Sequence, residues 1–122
     1  MINKTNIQID FSINDLTDEL HQDTKLKKLV EKSPNTARTI LWLAIRFIKN
    51  ESRSINSGDL NREVLMSSHT YSIEILNRLA ALKLVSNHVI GIGKKRVYTM
   101  DEEQKKYLEE LIPIAKKRLG LI

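Results

Sequence analysis

The chain of 122 residues contains no cysteine. That absence excludes disulfides, thiol chemistry and cysteine-ligated zinc. Aromatic residues are scarce, with one Trp, three Tyr and two Phe, so the core has to be built from Ile and Leu. Two prolines and four glycines confine the punctuation to a few positions. There is no apolar run of about 18 residues or more, which excludes a membrane-spanning helix. The opening stretch, MINKTNIQID, has no continuous apolar region of the kind a secretory signal needs. A soluble cytoplasmic protein is the expectation. His21, His69 and His88 are scattered, so no metal site is expected. No Ser/His/Asp order and no paired-carboxylate motif stands at a credible spacing. The expectation is therefore a protein without catalytic chemistry and without a cofactor. Gly91-Ile92-Gly93 followed by basic residues lacks the remainder of a phosphate loop and the helix that should follow it, which argues against nucleotide binding.

What the chain does have is enough apolar material for a core, 41%, and a localised positive charge. Residues 1–32 carry five Lys against six Asp and Glu, and residues 101–122 carry five charges of each sign. Residues 33–100 carry ten Lys and Arg against four acids. The net charge of +5 therefore has its source in that middle segment. A basic field confined to one module is the electrostatic footprint of phosphate contact.

Along the chain, Ile7, Ile9, Phe11 and Ile13 alternate with polar residues, the pattern of a strand or extended arm; a terminal tail is the other reading. Such an arm would pack on the domain or reach across to a second subunit. Asp15 to Lys32 reads as helix, with apolar stripes at Leu16 and Leu20 and at Leu26, Leu29 and Val30. The HQDT stretch between them is a point where it can break. Asp18 and Glu19 early and Lys27, Lys28 and Lys32 late suit the helix dipole. Ser33 and Pro34 then make a cap and first helical residue. The helix they start runs to about Asn50 and is expected to be central and buried through Ala37, Ile40, Leu41, Ala44, Phe47 and Ile48. Leu43 and Ile45 widen that face. Trp42 falls on the other side with Arg38, Arg46 and Lys49, as a half-buried packing residue.

Arg53, Ser54 and Ile55 read as a short extended piece, and Gly58 as a turn. Ser57 is expected to cap a short helix holding Leu60, Val64 and Leu65. Met66, Ser67 and Ser68 make the next turn, with Ser67 or Ser68 capping a helix from His69 to about Lys83. Ile75, Leu76, Leu79 and Leu82 give that helix an inward face. Its outward face carries Thr70, Tyr71, Glu74, Asn77 and Arg78. These side chains have the donors and acceptors that read base edges and phosphates: Asn with adenine, Arg with guanine, Thr and Tyr with phosphate or the thymine methyl.

Leu84–Ile90 and Arg96–Met100 are β-branched and aromatic-rich around Gly91-Ile92-Gly93, the pattern of a hairpin. Lys94, Lys95 and Arg96 cluster at its tip, suited to the DNA backbone or minor groove. Asp101 and Gln104 form a capping box opening a last helix. Tyr107, Leu108, Leu111, Ile112, Ala115 and Leu119 give that helix an apolar stripe. Its first half is acidic and its end basic, so two antiparallel copies would match charge to charge. That pattern points to a homodimer seam along the stripe; the other reading is a helix folded back on its own domain, its charges simply matching the helix dipole. Pro113 should kink the helix or weaken its fourth turn.

The segment SSHTYSIEILNRLAALKLV, from Ser67 to Val85, resembles the winged helix-turn-helix superfamily, most closely its small dimeric MarR, PadR and ArsR-type regulators. Leu79 fits the family's helix leucine and Leu84-Val85 its exit into the wing. Lys83 stands where a glycine is usual. The resemblance covers roughly residues 34–119. It implies an α+β fold, mainly helical with a small β-hairpin, in which residues 33–100 form the winged module, 1–32 an added arm and helix, and 101–122 a dimerisation helix. It also implies a small strand near Ile55 paired with the wing. The expected partner is double-stranded DNA. Ser68, His69, Thr70, Tyr71, Glu74, Asn77 and Arg78 would face the major groove and Lys94, Lys95 and Arg96 the backbone. Half-sites would repeat about one DNA turn, ~34 Å, apart. The absence of cysteine argues against a metal-sensing relative. Two other readings use the same surfaces: a plasmid-partition or chromatin-type protein that coats DNA, and a winged helix that binds another protein.

Overall fold

The computed structural model describes residues 24–93 and 95–122. The apolar alternation at residues 7–13, the first half of the expected helix from Asp15, His21 and the tip residue Lys94 lie outside the described residues. Five helices and one hairpin follow in the order α1 (residues 24–32), α2 (Pro34–Leu43), α3 (Ser57–Leu60), α4 (His69–Ala81), β1 (Ser86–Ile90), β2 (Lys95–Thr99) and α5 (Glu102–Arg118). The class is mainly α with a small antiparallel β element, as the sequence implied.

Local signals start and stop these elements. Leu26 and Val30, one turn apart on α1, are both fully buried. Ser33 closes that helix and caps the next. Its amide donates to the Leu29 carbonyl, and its hydroxyl accepts from the Thr36 amide at 3.2 Å, with Pro34 in the first turn. The face Ala37, Ile40, Leu43 and Phe47 is buried throughout. After Leu43 the helix widens to a π-helical stretch, Ala44–Lys49, ending where the Asn50 amide reaches the Ile45 carbonyl.

Two expectations on this helix are corrected. Trp42 is buried rather than half-buried, at 5% exposure, under the guanidinium of Arg46, which lies 5.5 Å from the ring centroid. Ile45, expected to widen the buried face, stands off it by its helical spacing from Ile40 and Phe47 and is 49% exposed.

Arg46 joins this helix to α3. It pairs with Glu63 at 2.8 Å, lies 3.8 Å from Asp59 and donates to Ser52 Oγ at 3.3 Å. Asn56, not Ser57, caps α3, accepting from the Asp59 amide at 2.8 Å. Gly58 is therefore helical rather than a turn residue. The helix continues through Asn61–Leu65 with π geometry. It ends at Met66, which takes a left-handed φ of 48°. Asn61 holds that corner, its carbonyl accepting from the Met66 amide and its side chain from the Ser67 amide.

Ser68 caps α4 by accepting from the Tyr71 amide at 3.1 Å. Ser72, Ile75, Leu76 and Leu79 form its buried face. The helix ends at Ala81, slightly before the expected Lys83, because Lys83 itself is left-handed with φ 66°. Leu84 and Val85 then bury themselves at the corner.

The hairpin pairs Ser86 with Thr99 through to Ile90 with Lys95. Ile55 adds a single antiparallel bridge to Tyr98, with both amides donating, at 3.0 and 2.8 Å. The expected short strand beside the hairpin is thus a one-residue bridge. The Asp101–Gln104 capping box is formed in full, opening α5, which contains Pro113. Leu108, Leu111 and Ala115 are completely buried within this one chain, in the cluster that holds Ala37, Ile40 and Leu43 of α2. The homodimer seam read along that stripe is accordingly corrected. Three of its six residues are core, and only Tyr107, Ile112 and Leu119 keep partial exposure. A helix whose apolar stripe is satisfied by its own domain cannot offer the same stripe to a second copy.

Candidate nucleic-acid interface

The capped start of α4 and the return strand of the hairpin stand side by side. One interaction joins the hairpin to α4, and two more tie each of them to a neighbouring segment. Tyr98, on β2 and 1% exposed, sends its hydroxyl to Asn77 Oδ1 on α4 at 2.7 Å. The same residue carries the backbone bridge to Ile55. On the other end, His69 Nε2 and Ser57 Oγ share a 2.7 Å hydrogen bond that ties the start of α4 to the start of α3. Burial pushes the Tyr98 phenol above its ordinary pKa, an effect that the charge and hydrogen bond of neighbouring Arg96 oppose.

Between these elements lies an open groove of about 470 Å³. His69 and Ile73 of α4 line one wall, Lys95, Arg96 and Val97 of β2 the other, and Asn56 to Gly58 close one end. Thr70, Glu74 and Arg78 follow on successive turns of the adjoining face, turning progressively away from the groove wall, and all three are exposed. The groove is lined by the apolar Ile73 and Val97 together with the basic Lys95 and Arg96.

Of the residues expected at a DNA-facing surface, the groove joins His69 with Lys95 and Arg96. Ser68, His69, Thr70, Glu74 and Arg78 are exposed along α4, and Lys95 and Arg96 are exposed at the start of β2. Ser68 acts first as the helix cap, which leaves its hydroxyl already engaged. Two residues are corrected. Tyr71 is half-buried, and its hydroxyl accepts from Asn35 Nδ2 of α2 at 3.2 Å. Asn77 is half-buried, with its side-chain oxygen taken by Tyr98. Each tethers α4 to a neighbour and so positions the face rather than forming it. Ile73, Val97 and the Asn56–Gly58 end of the groove were missed. Ile73 carried a usable signal: it is an apolar residue outside the inward stripe and one turn beyond His69. Ile92, fully exposed at the hairpin tip between Gly91 and Gly93, is a second apolar residue turned to solvent.

Among the described residues there is no cluster of three or more His, Asp or Glu that could hold a metal, and no carboxylate bonds to the His69 imidazole. No helix among them is long and apolar enough to cross a membrane. No family model, curated protein or solved structure matches the chain.

Proposed function

We propose that the chain is a sequence-specific double-stranded DNA-binding protein of the winged helix-turn-helix type, acting in transcriptional regulation. The observation that carries this reading is the groove that sets His69 and Ile73 of α4 against Lys95 and Arg96 of β2, with the hairpin tied to α4 by the Tyr98–Asn77 bond and Thr70, Glu74 and Arg78 exposed further round the same helix. In this reading α4 enters the major groove, which is about 12 Å wide and admits one helix. Arg78 and Thr70 meet base edges or phosphates, and Glu74 accepts from cytosine amino groups. Lys95 and Arg96 lie along the flanking backbone, releasing counterions from it. Asn77, read from sequence as a base contact, instead fixes the angle between helix and hairpin.

The test is a titration of labelled genomic duplexes from beside the protein's own gene against random duplexes over a range of salt, followed by footprinting. A bounded footprint and a marked preference for one fragment are expected. A footprint that lengthens with protein concentration would replace regulation with DNA coating. Failure to retain any duplex at low salt would overturn the DNA reading and turn the same face towards a protein partner.

A further inference from the structure

The outer end of the hairpin stands clear of the domain. Its inner end is tied down, by Tyr98 to Asn77 and by a 3.0 Å hydrogen bond between His88 Nε2 and Thr99 Oγ1. Beyond that anchorage the strands continue through the pairs Val89–Arg96 and Ile90–Lys95 to the turn at Gly91–Gly93. A Cβ placed on Gly91 or Gly93 would meet nothing within 4 Å apart from its chain neighbours. Val89 and Ile90 are more than half exposed, and Ile92 is fully exposed. Directly paired residues share a face of the sheet. Val89 and Arg96 therefore stand on one face, and Ile90 and Lys95 on the other, so each face carries one apolar and one basic side chain. No Asp or Glu occurs from residue 75 to residue 100.

We infer that Ile92 is an apolar wedge that enters a DNA duplex from the minor groove, partly unstacks one base step and bends the duplex towards its major groove. This role rests on the DNA reading of the α4–β2 surface and adds to it a deformation of the DNA. Lys95 and Arg96, which line the groove beside α4, are the first residues of the strand that leaves the tip. The DNA reading puts them on the backbone that borders the major groove. The tip, a few residues farther out, then reaches the minor groove on the other side of that backbone. Phosphates line both walls of the minor groove, and both faces of the hairpin end carry a cation. That groove is ~6 Å wide, too narrow for two strands but open to one side chain at the tip. A flat partner would cover one face of the hairpin and leave the other bare. Pyrimidine–purine steps such as TA unstack most easily, whereas A-tracts are stiff. The wedge therefore favours TA steps without a hydrogen bond to any base.

The experiment uses the full chain and two duplexes of about 30 base pairs, one with repeated TA steps and one a single A-tract, each with donor and acceptor dyes at its ends. Binding is read by anisotropy at low salt, and bending by energy transfer at saturation. The wild type should bind both duplexes and raise transfer on the TA duplex far more than on the A-tract. Ile92→Ser should lose most of that rise. It should also raise Kd about tenfold on the TA duplex and about twofold or less on the A-tract. Its far-UV circular dichroism spectrum should stay that of the wild type, because the side chain is fully exposed. Ile92→Leu keeps an apolar wedge and should keep the bend. Retention of neither duplex would overturn the DNA reading and the wedge with it. Retention of both with transfer unchanged from the free duplexes leaves the DNA reading standing and overturns the wedge alone. A bend that survives Ile92→Ser overturns the wedge as well. So does flotation of the wild type with vesicles of phosphatidylserine and phosphatidylcholine that Ile92→Ser loses while it still bends the TA duplex, an outcome that assigns the tip to a lipid surface.

Discussion

The hydroxyl of Tyr98 donates to the side-chain oxygen of Asn77 across 2.7 Å, joining the hairpin's return strand to the middle of α4. Since Tyr98 also forms the bridge to Ile55, one side chain and its backbone connect three segments behind the exposed face. Tyr98→Phe keeps the ring and deletes the donor, leaving a half-buried amide oxygen without its partner. Such a loss typically costs about 1–2 kcal/mol, or roughly 5 °C in melting temperature for a chain near this size. Asn77→Ala should cost a similar amount. In the DNA titration both variants should lower affinity for specific and random duplexes through misplacement. An Asn77→Ala variant of wild-type stability that loses only its preference between sequences would return Asn77 to the role of a base reader.

The same phenol makes stability depend on alkaline pH. Its folded-state pKa lies above the value in the unfolded chain, about 10. The unfolded state therefore loses its proton first as pH rises. Stability should be fully present below about pH 10 and decline as pH climbs from there through the folded-state value. Urea melts at pH 8 and above pH 10 should show the decline for wild type and a smaller one for Tyr98→Phe. Tyrosinate absorbance, followed in parallel, should show a late-titrating phenol in wild type that is absent from Tyr98→Phe. Equal pH slopes in wild type and variant would exclude Tyr98 as the source.

Lys83 turns the corner out of α4 with φ 66°, a conformation that costs a residue bearing a Cβ roughly 1–2 kcal/mol. Glycine removes that cost while adding about 0.5–1 kcal/mol of unfolded-state entropy. The balance favours Lys83→Gly by about 0.5 kcal/mol, whereas Lys83→Ala should leave stability near wild type and Lys83→Val should lower it. The corner persists with lysine because Gln104 grips it: Nε2 donates to the Lys83 carbonyl at 3.1 Å and to Ser86 Oγ at 3.2 Å. Its Oε1 meanwhile accepts from the Asp101 amide in the capping box. Gln104→Ala should therefore cost more than an ordinary cap, about 1–2 kcal/mol. Denaturant midpoints of the four variants check the ranking.

These cases separate what sequence can reveal from what it cannot. Ser33-Pro34, Ser68 and the Asp101–Gln104 box were readable because a cap is completed within about one turn of chain, so the partners are sequence neighbours. The inward face of α4 was readable because helical period fixes which residues share a side. Tyr71 and Asn77 were misread because a helical face says nothing of side chains arriving from elsewhere, and their partners, Asn35 and Tyr98, are distant in sequence. Leu108, Leu111 and Ala115 were misread for a related reason. An apolar stripe states that something must cover it, not whether the cover is the same chain. The exposure of Ile45 was legible in principle, because its spacing from Ile40 and Phe47 puts it beside the buried face rather than on it.

The residues that remain exposed at the α4–β2 surface should divide by what they touch. Arg78 lies on the outward face of α4, where a guanidinium can bond a guanine edge at two points. Arg78→Ala is expected to cost about 1–3 kcal/mol on the preferred duplex and much less on random DNA, with altered discrimination at the position it reads. Lys95 is exposed at the start of β2 and carries a point charge suited to phosphate. Lys95→Ala should weaken every duplex to a similar extent and flatten the slope of log affinity against log salt by about one unit, the signature of one fewer displaced counterion. Fluorescence anisotropy of both variants at four or more salt concentrations separates the two roles. If Arg78→Ala weakened specific and random DNA equally while the salt slope fell, Arg78 would be a backbone contact, and base recognition would have to lie nearer the start of α4, at Thr70 and Glu74.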